Sequence, residues 1–494
     1  LSYGLSARGI ERKRQAGPEI LCARLLGHVT LEARTSGKIT ACFDGFSVDL
    51  GKFSAGATER ARYLRAGLPL SSFAPRRRTI DKEIDRLVRR LAEHGLLEYR
   101  LKRSQSGEDQ VIIEPQVADY WPHLLQFRDK DNLVLSRFAY MRRRANEMVL
   151  ESPRAGALFR ICNPQIAAAL AILATPQPIK RLRGHNGFPG VKLLALLADC
   201  QILVKINTPN DRGLRATEGD ENVVLWDFHD LLFHARSTEG RHANPAGALY
   251  PYVDVITPQP AVRPSWPGKK IVLRTLSTAY PEQISSAAKL LRERQSTRAF
   301  DDQQPITLAE LSQLLDSTAR VQSTFQTSLD RDGDGPILTS TVRPYPSGGG
   351  SYEFELYLAV HKCEGLERGF YHYDAGGHAL VPIAVRDKEF ESLLKAAALA
   401  MGESGVPQVL ITIAARFGRV SWKYSSIAYA LILKDVGVLI QTLYLMAGDI
   451  GLGGCAIGMA DIDLFAKMTG LEFHVEGPVG QFAIGRGITS GVSR

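Results

Sequence analysis

The chain is predicted to be α+β, with a mixed C-terminal domain preceded by two smaller helix-and-strand modules. Three observations predict it. A helix-and-strand pattern occurs twice before residue 210. A proline-rich stretch, 238–270, then breaks the periodicity. Beyond it, helices and strands alternate and Gly-rich segments appear. A chain of 494 residues is also too long for one ordinary core.

In order along the chain, residues 80–94 predict an amphipathic helix, because Ile80, Ile84, Leu87, Val88 and Leu91 form one stripe. Thr79 is the expected N-cap and Gly95 the expected stop. Residues 96–102 and 111–114 read as two strands, so this first module, 1–120, has a winged-helix pattern. The second, 121–237, repeats the theme. Strands are expected at 147–151 and 157–161, and a helix opens at Asn163-Pro164 with proline in its first turn. Another helix at 188–199 and a strand at 202–206 close it. His229 and His234 lie on a further helical stretch, five residues apart, which is not the spacing that stacks two ligands on one face. A structural role is expected for both, and no metal.

Residues 238–270 read as a linker and 271–494 as the C-terminal domain. Helices are expected at 282–292 and 308–317, the second opened by a capping box of Thr307 and Glu310. Residues 353–360 and 409–414 read as buried strands. The segment 425–447 is a long helix, apolar nearly all round, suited to a core or a subunit interface.

Composition excludes several classes. Hydrophobic content of 45% and charged content of 23% describe a globular protein. No apolar run is expected to span a bilayer, and the first residues lack the layout of a signal peptide. Six scattered cysteines without a Cys-x-x-Cys pair fit a reducing cytoplasm. The net charge of +9, with arginine clusters at 76–78, 86–90 and 142–144, leaves two readings open: a solvated face or a grip on an anionic partner.

The chemistry concentrates in five places. Arg294, Ser296 and Arg298 present two guanidinium forks and a hydroxyl, a set that suits a phosphate dianion. Ser347, Gly348 and Gly349 precede a buried strand and allow backbone N–H groups to approach a planar ligand. Gly453 and Gly454 lie in a Gly-rich segment that follows a helix, the wrong order for a dinucleotide loop, so close packing against a flat ring is the expected use. Lys423 and Tyr424 are adjacent: a cation beside a phenol gives a group able to move a proton, while an ordinary surface pair is the other reading. Arg486, between two glycines, is a third arginine for the phosphate.

The order and spacing of these motifs in 271–494 resemble the nitroreductase family of FMN enzymes. Within it the Lys423-Tyr424 pair resembles the azoline dehydrogenases of the SagB type, and the length and paired N-terminal modules are similar to cyanobactin thiazoline oxidases. The segment around His229 and His234 resembles the one that precedes the oxidase domain in that subgroup. The resemblance implies an oxidase that converts thiazoline or oxazoline rings in a ribosomally made peptide to thiazole or oxazole, with dioxygen as acceptor. It implies FMN, its phosphate held by Arg294, Ser296, Arg298 and Arg486. Its ring would be faced by Ser347, Gly348 and Gly349 and backed by Gly453 and Gly454. It implies Tyr424 or Lys423 as the base for the Cα proton, and a homodimer. The N-terminal modules then resemble peptide-recognition elements that take a leader peptide as an added strand. A nicotinamide-dependent nitro- or quinone reductase is the alternative. A DNA-binding, flavin-sensing regulator is a further one, weakened because helix 80–94 lacks Asn or Gln to read bases.

Overall fold

The computed structural model describes residues 19–488, apart from 35, 44, 73–77, 105–106, 186, 189, 207–220, 243–249, 251, 274–283 and 330–334. Arg76 and Arg77, parts of the expected linker and the start of the 282–292 helix lie outside the described residues. The chain forms two compact units, Leu1–Val224 with Arg241–Ala243, and Leu225–Gly240 with Asn244–Arg494.

The first unit is built on one seven-stranded antiparallel sheet, in the order Leu68–Pro69, Ile20–Leu25, Leu97–Lys102, Asp109–Pro115, Ala157–Ile161, Glu147–Glu151 and Tyr140–Arg144. The strand Asp109–Pro115 pairs with Ala157–Ile161, with Ile113 opposite Phe159. The boundary expected at 120 therefore runs through a single sheet, and one apolar core extends from Leu21 to Leu203. The helix Thr79–Glu93 buries Ile84, Leu87, Val88 and Leu91 of its expected stripe, while Ile80 in the first turn is exposed. Thr79 is its first residue rather than its cap, and no side chain caps it. Asn163 does cap Pro164–Leu170, accepting from the Gln165 N–H.

The arginines of this unit are largely engaged within it. Arg144 reaches Glu114 and Glu147, Arg142 reaches Glu151, and Arg160 reaches Glu147. Arg89 pairs with Asp85, while Arg86 and Arg90 donate to the carbonyls of Lys52 and Leu50. Strand alternation explains the split at Tyr140–Arg144: Arg142 and Arg144 share a face with carboxylates, and Arg143 points the other way, exposed. The solvated-face reading holds for Arg143; Arg86, Arg89, Arg90, Arg142 and Arg144 neutralise carboxylates or hold backbone.

The second unit carries a six-stranded antiparallel sheet: Ala379–Ile383, Gly369–Asp374, Phe354–Val360, Val409–Arg416, Glu476–Gly485 and Gly453–Ile457. Antiparallel pairing makes the unit α+β. Val409–Arg416 is central and buried along nearly its whole length, which accounts for its unbroken apolar run. Helices Asp387–Ala400 and Ile462–Thr469 cover one face through Phe390, Leu394, Phe465 and Met468. The long helix, Ala428–Asp449, lies on the other, and Gly480 lets it approach because a Cβ there would meet Val436 at 3.3 Å.

Two expectations change here. The long helix buries only one stripe, Ile432, Asp435, Val436, Leu439, Leu443 and Ala447. By length and apolar composition it is also sufficient to cross a bilayer, contrary to the expectation that no run is; Lys434 and Asp435 interrupt it. The helix Phe228–Ser237, placed with the N-terminal modules by the sequence, belongs to the C-terminal unit. Its His234 is fully buried, stacked on Trp226 with ring centroids 5.7 Å apart, and 3.1 Å from the Tyr429 hydroxyl. Burial holds its imidazole neutral by pushing its pKa down to about 3. His234 is core, whereas His229, given a structural role by the same reading, is exposed with its ring 3.2 Å from Asp227; no cluster of metal-ligating residues occurs among the described residues.

Candidate functional site

Two groups of residues, one at each end of the long helix, form the candidate site. Near its C-terminal end the run 294–298 lies alongside the edge strand Gly453–Ile457. The Thr297 N–H donates to the Gly454 carbonyl at 2.8 Å, and Ser296 bridges to Gly454. The glycines are needed for this approach: a Cβ on Gly453 would sit 2.6 Å from the Thr297 side chain, and one on Gly454 2.3 Å from the Phe482 ring. The flat ring packed on Gly454 is thus one of the chain's own.

Tyr444, which the sequence reading missed, organises this end. Its hydroxyl lies 2.9 Å from Ser296 Oγ and accepts the Ala456 N–H at 2.8 Å, and its ring lies under the Arg294 guanidinium at 5.1 Å. Arg294 and Arg298 are exposed, and neither forms an ion pair among the described residues. Two unpaired guanidiniums beside a fixed hydroxyl leave a net positive surface suited to phosphate. Arg486 is different. Its backbone carbonyl accepts from Asp301 at 2.8 Å, but its guanidinium grips Glu310 at 2.7 and 2.9 Å. Glu310 is the capping-box acid of the helix Leu308–Thr318, so Arg486 is tied to that helix end.

At the other end, the 347–351 loop meets the start of the long helix. The Lys423 ammonium donates to the Gly349 carbonyl at 2.8 Å and lies 5.5 Å from the Tyr424 ring centroid. Gly349 has φ +61°, and a Cβ there would meet the Tyr424 hydroxyl at 2.2 Å and the ammonium at 2.8 Å. Lysine, phenol and loop backbone therefore converge on one point. Lys423 is exposed and Tyr424 half-buried, so the point is open to a substrate.

Beneath the loop lie two carboxyl groups, Glu353 and Asp435, both buried. The Gly348 N–H donates to Asp435 at 2.7 Å, and Ser347 Oγ stands 3.1 Å from Asp435 and 3.2 Å from Glu353. Burial, with Asp435 beside it, pushes the Glu353 carboxyl up to about 7. The sequence signal for Asp435 was present: an acid on the buried stripe of an otherwise apolar helix. Ser347 faces this pair rather than open solvent.

Comparison with known proteins agrees with this architecture. The nitroreductase family model matches residues 291–486, and the model of the cyanobactin oxidase ThcOx matches 133–243. A nitroreductase-family protein of Methanocaldococcus jannaschii is 30% identical over 169 residues, 34% of this chain and 76% of that protein. The chain belongs to the nitroreductase family. Within that family it is similar to the microcin B17-processing protein McbC of Escherichia coli, 32% identical over 124 residues, 24% of this chain and 44% of McbC. Among solved structures, the E. coli microcin synthetase complex with truncated pro-microcin bound has a chain 22% identical at a TM-score of 0.38. That match covers 57% of this chain and all of that one.

Proposed function

We propose that this nitroreductase-family protein is an FMN-dependent oxidase that converts thiazoline or oxazoline rings of a ribosomally made peptide to thiazole or oxazole. The observation that carries the reading is the convergence of Lys423 and Tyr424 on Gly349. Its support is the similarity of 124 residues of the chain to McbC and of 133–243 to the cyanobactin oxidase. Aromatising an azoline removes a proton from Cα and a hydride from Cβ. Tyr424, with the Lys423 ammonium beside its ring, is the base favoured for the Cα proton, and Lys423 itself is the other. FMN supplies the two-electron acceptor that side chains lack, with dioxygen taking the electrons onward.

The residues present fit that cofactor in part. Arg294 and Arg298, with Ser296 fixed by Tyr444, would hold its phosphate. The 347–349 backbone would flank its ring, whereas Gly453 and Gly454 are already packed by Thr297 and Phe482. Arg486 would contribute through its backbone and by anchoring the capped helix, since its guanidinium is on Glu310. A homodimer is part of the proposal. The N-terminal unit is assigned the peptide's leader, taken as an added strand at a sheet edge. A DNA-binding role is disfavoured because Arg86, Arg89 and Arg90 are engaged within the chain.

The test is incubation of yellow, purified protein with an azoline peptide in air, followed by mass spectrometry. Loss of two hydrogens per ring supports the proposal. Unchanged peptide, with rapid bleaching of the flavin by reduced nicotinamide, replaces it with a reductase.

A further inference from the structure

The carboxyl pair under the loop presents an accounting problem. Ser347 Oγ carries one proton and two lone pairs. One lone pair is taken by the Tyr352 N–H at 3.0 Å. The Oγ stands within hydrogen-bond distance of an oxygen of Asp435 and an oxygen of Glu353, yet it can donate to only one. Asp435 already accepts the Gly348 N–H and lies nearer to the Oγ, so the Ser347 proton is assigned to it. The Glu353 contact is then a hydrogen bond only if Glu353 is the donor.

The surroundings point the same way. Glu353 is fully buried and its second oxygen has no partner. An ionised carboxylate in that position is costly unless a cation meets it. Two cations are near, and neither forms an ion pair with Glu353 among the described residues. Arg419, from the short helix Gly418–Ser421, donates to the Ser351 carbonyl at 3.1 and 3.3 Å, and Arg343, from Ile337–Val342's end of the loop, donates to the Phe354 carbonyl at 3.0 Å. The remaining polar groups facing Glu353 are its own backbone N–H, the phenol of Tyr345 and the Asp435 carboxyl on the long helix.

We propose that Glu353 and Asp435 hold one proton between them, and that this shared proton locks the 347–351 loop so that the Gly349 carbonyl meets Lys423. Glu353 is thus a positioning residue. Its consequence for turnover rests on the proposed function; the lock itself does not. The sign follows from linkage. The folded state keeps the proton up to about pH 7, while an unfolded glutamate loses it near the ordinary carboxylate value. Between those limits the native state binds more protons, so this pair's contribution to stability falls as pH rises. Above about 7 two facing carboxylates repel and the loop loosens.

The experiment uses the full chain without substrate. Infrared spectra are recorded from about pH 5 to about pH 9, with hydrogen exchange of the 347–352 amides followed in parallel. A protonated-carboxyl band should vanish with a midpoint near 7 in the wild type and be missing from Glu353→Gln. Loop exchange should accelerate about tenfold beyond its intrinsic pH response in the wild type and stay flat in the variant, whose amide keeps a donor on Ser347. Identical behaviour of both proteins overturns the proposal. Should Glu353→Gln not fold, Asp435→Asn serves: removing the neighbouring charge must change the midpoint of the band, and an unmoved band overturns it. Neither readout involves turnover, so a failed azoline assay leaves this result intact and the reverse also holds.

Discussion

Lys423, Tyr424 and Gly349 form a contact in which each residue type is required for a different reason. Lysine supplies a mobile ammonium, tyrosine a phenol, and glycine the left-handed backbone and the missing Cβ. Lys423→Ala and Tyr424→Phe are each expected to keep bound flavin and to lower turnover by about 100-fold or more, the range for loss of a positioned proton-transfer group. Absorbance of the purified variants and single-turnover assays check this. Gly349→Ala meets two obstacles, a backbone cost of about 1 kcal/mol at positive φ and a Cβ inside contact distance of the phenol. It should lower the thermal midpoint slightly and turnover strongly. Arg298→Ala removes one of two unpaired guanidiniums and should yield colourless protein, whereas Arg486→Ala should first reduce stability, through Glu310. Paired absorbance and melting measurements separate the two. These residues were visible in the sequence because their chemistry is local. Glu353 and Tyr444 were not, because each acts through a partner brought close only by the fold, as Tyr444 meets Ser296 across 148 positions; Asp435 showed as an acid on an apolar helix, but its partner Ser347 lies 88 positions away.

At the scale of elements, amphipathic stripes and caps carried most of the information. The capping box at Thr307 forms as read, with Glu310 accepting from the Thr307 backbone at 2.9 Å. Thr307→Ala should cost about 1 kcal/mol, with a lower denaturation midpoint as the measure. It also removes a hydroxyl that donates to Glu310, the acid that holds Arg486. The meander Thr30–Ala33, Lys38–Phe43 and Phe46–Lys52 escaped the sequence reading because its strands are short, mixed in polarity and mostly only partly buried. The edge strand Gly453–Ile457 was hidden by its glycines, which weaken strand propensity and are explained only by the neighbours they admit.

Across the whole molecule, the division of the chain departs most from what composition suggested. Proline density marked 238–270 as the boundary, and 252–273 is indeed exposed and without helix or strand. Yet the C-terminal unit begins earlier, at Leu225. Trp226 is almost fully buried and donates to the His474 carbonyl at 2.8 Å, and His234 fills the space beside Phe417. A fragment starting at Leu225 should therefore retain flavin and melt cooperatively. One starting at Thr238 loses both aromatic groups and should be insoluble or melt well below it. Calorimetry of the two fragments decides the point. Sequence periodicity cannot reveal this, since the helix Phe228–Ser237 looks the same whichever unit it packs on.

That early start also bears on how the protein survives cleavage. A protease acting in the exposed 252–273 stretch would cut the backbone without separating the pieces. The amino-terminal product would still carry Trp226 and His234, wedged among aromatic rings of the other product. The two polypeptides should travel together through a sizing column and part only in denaturant.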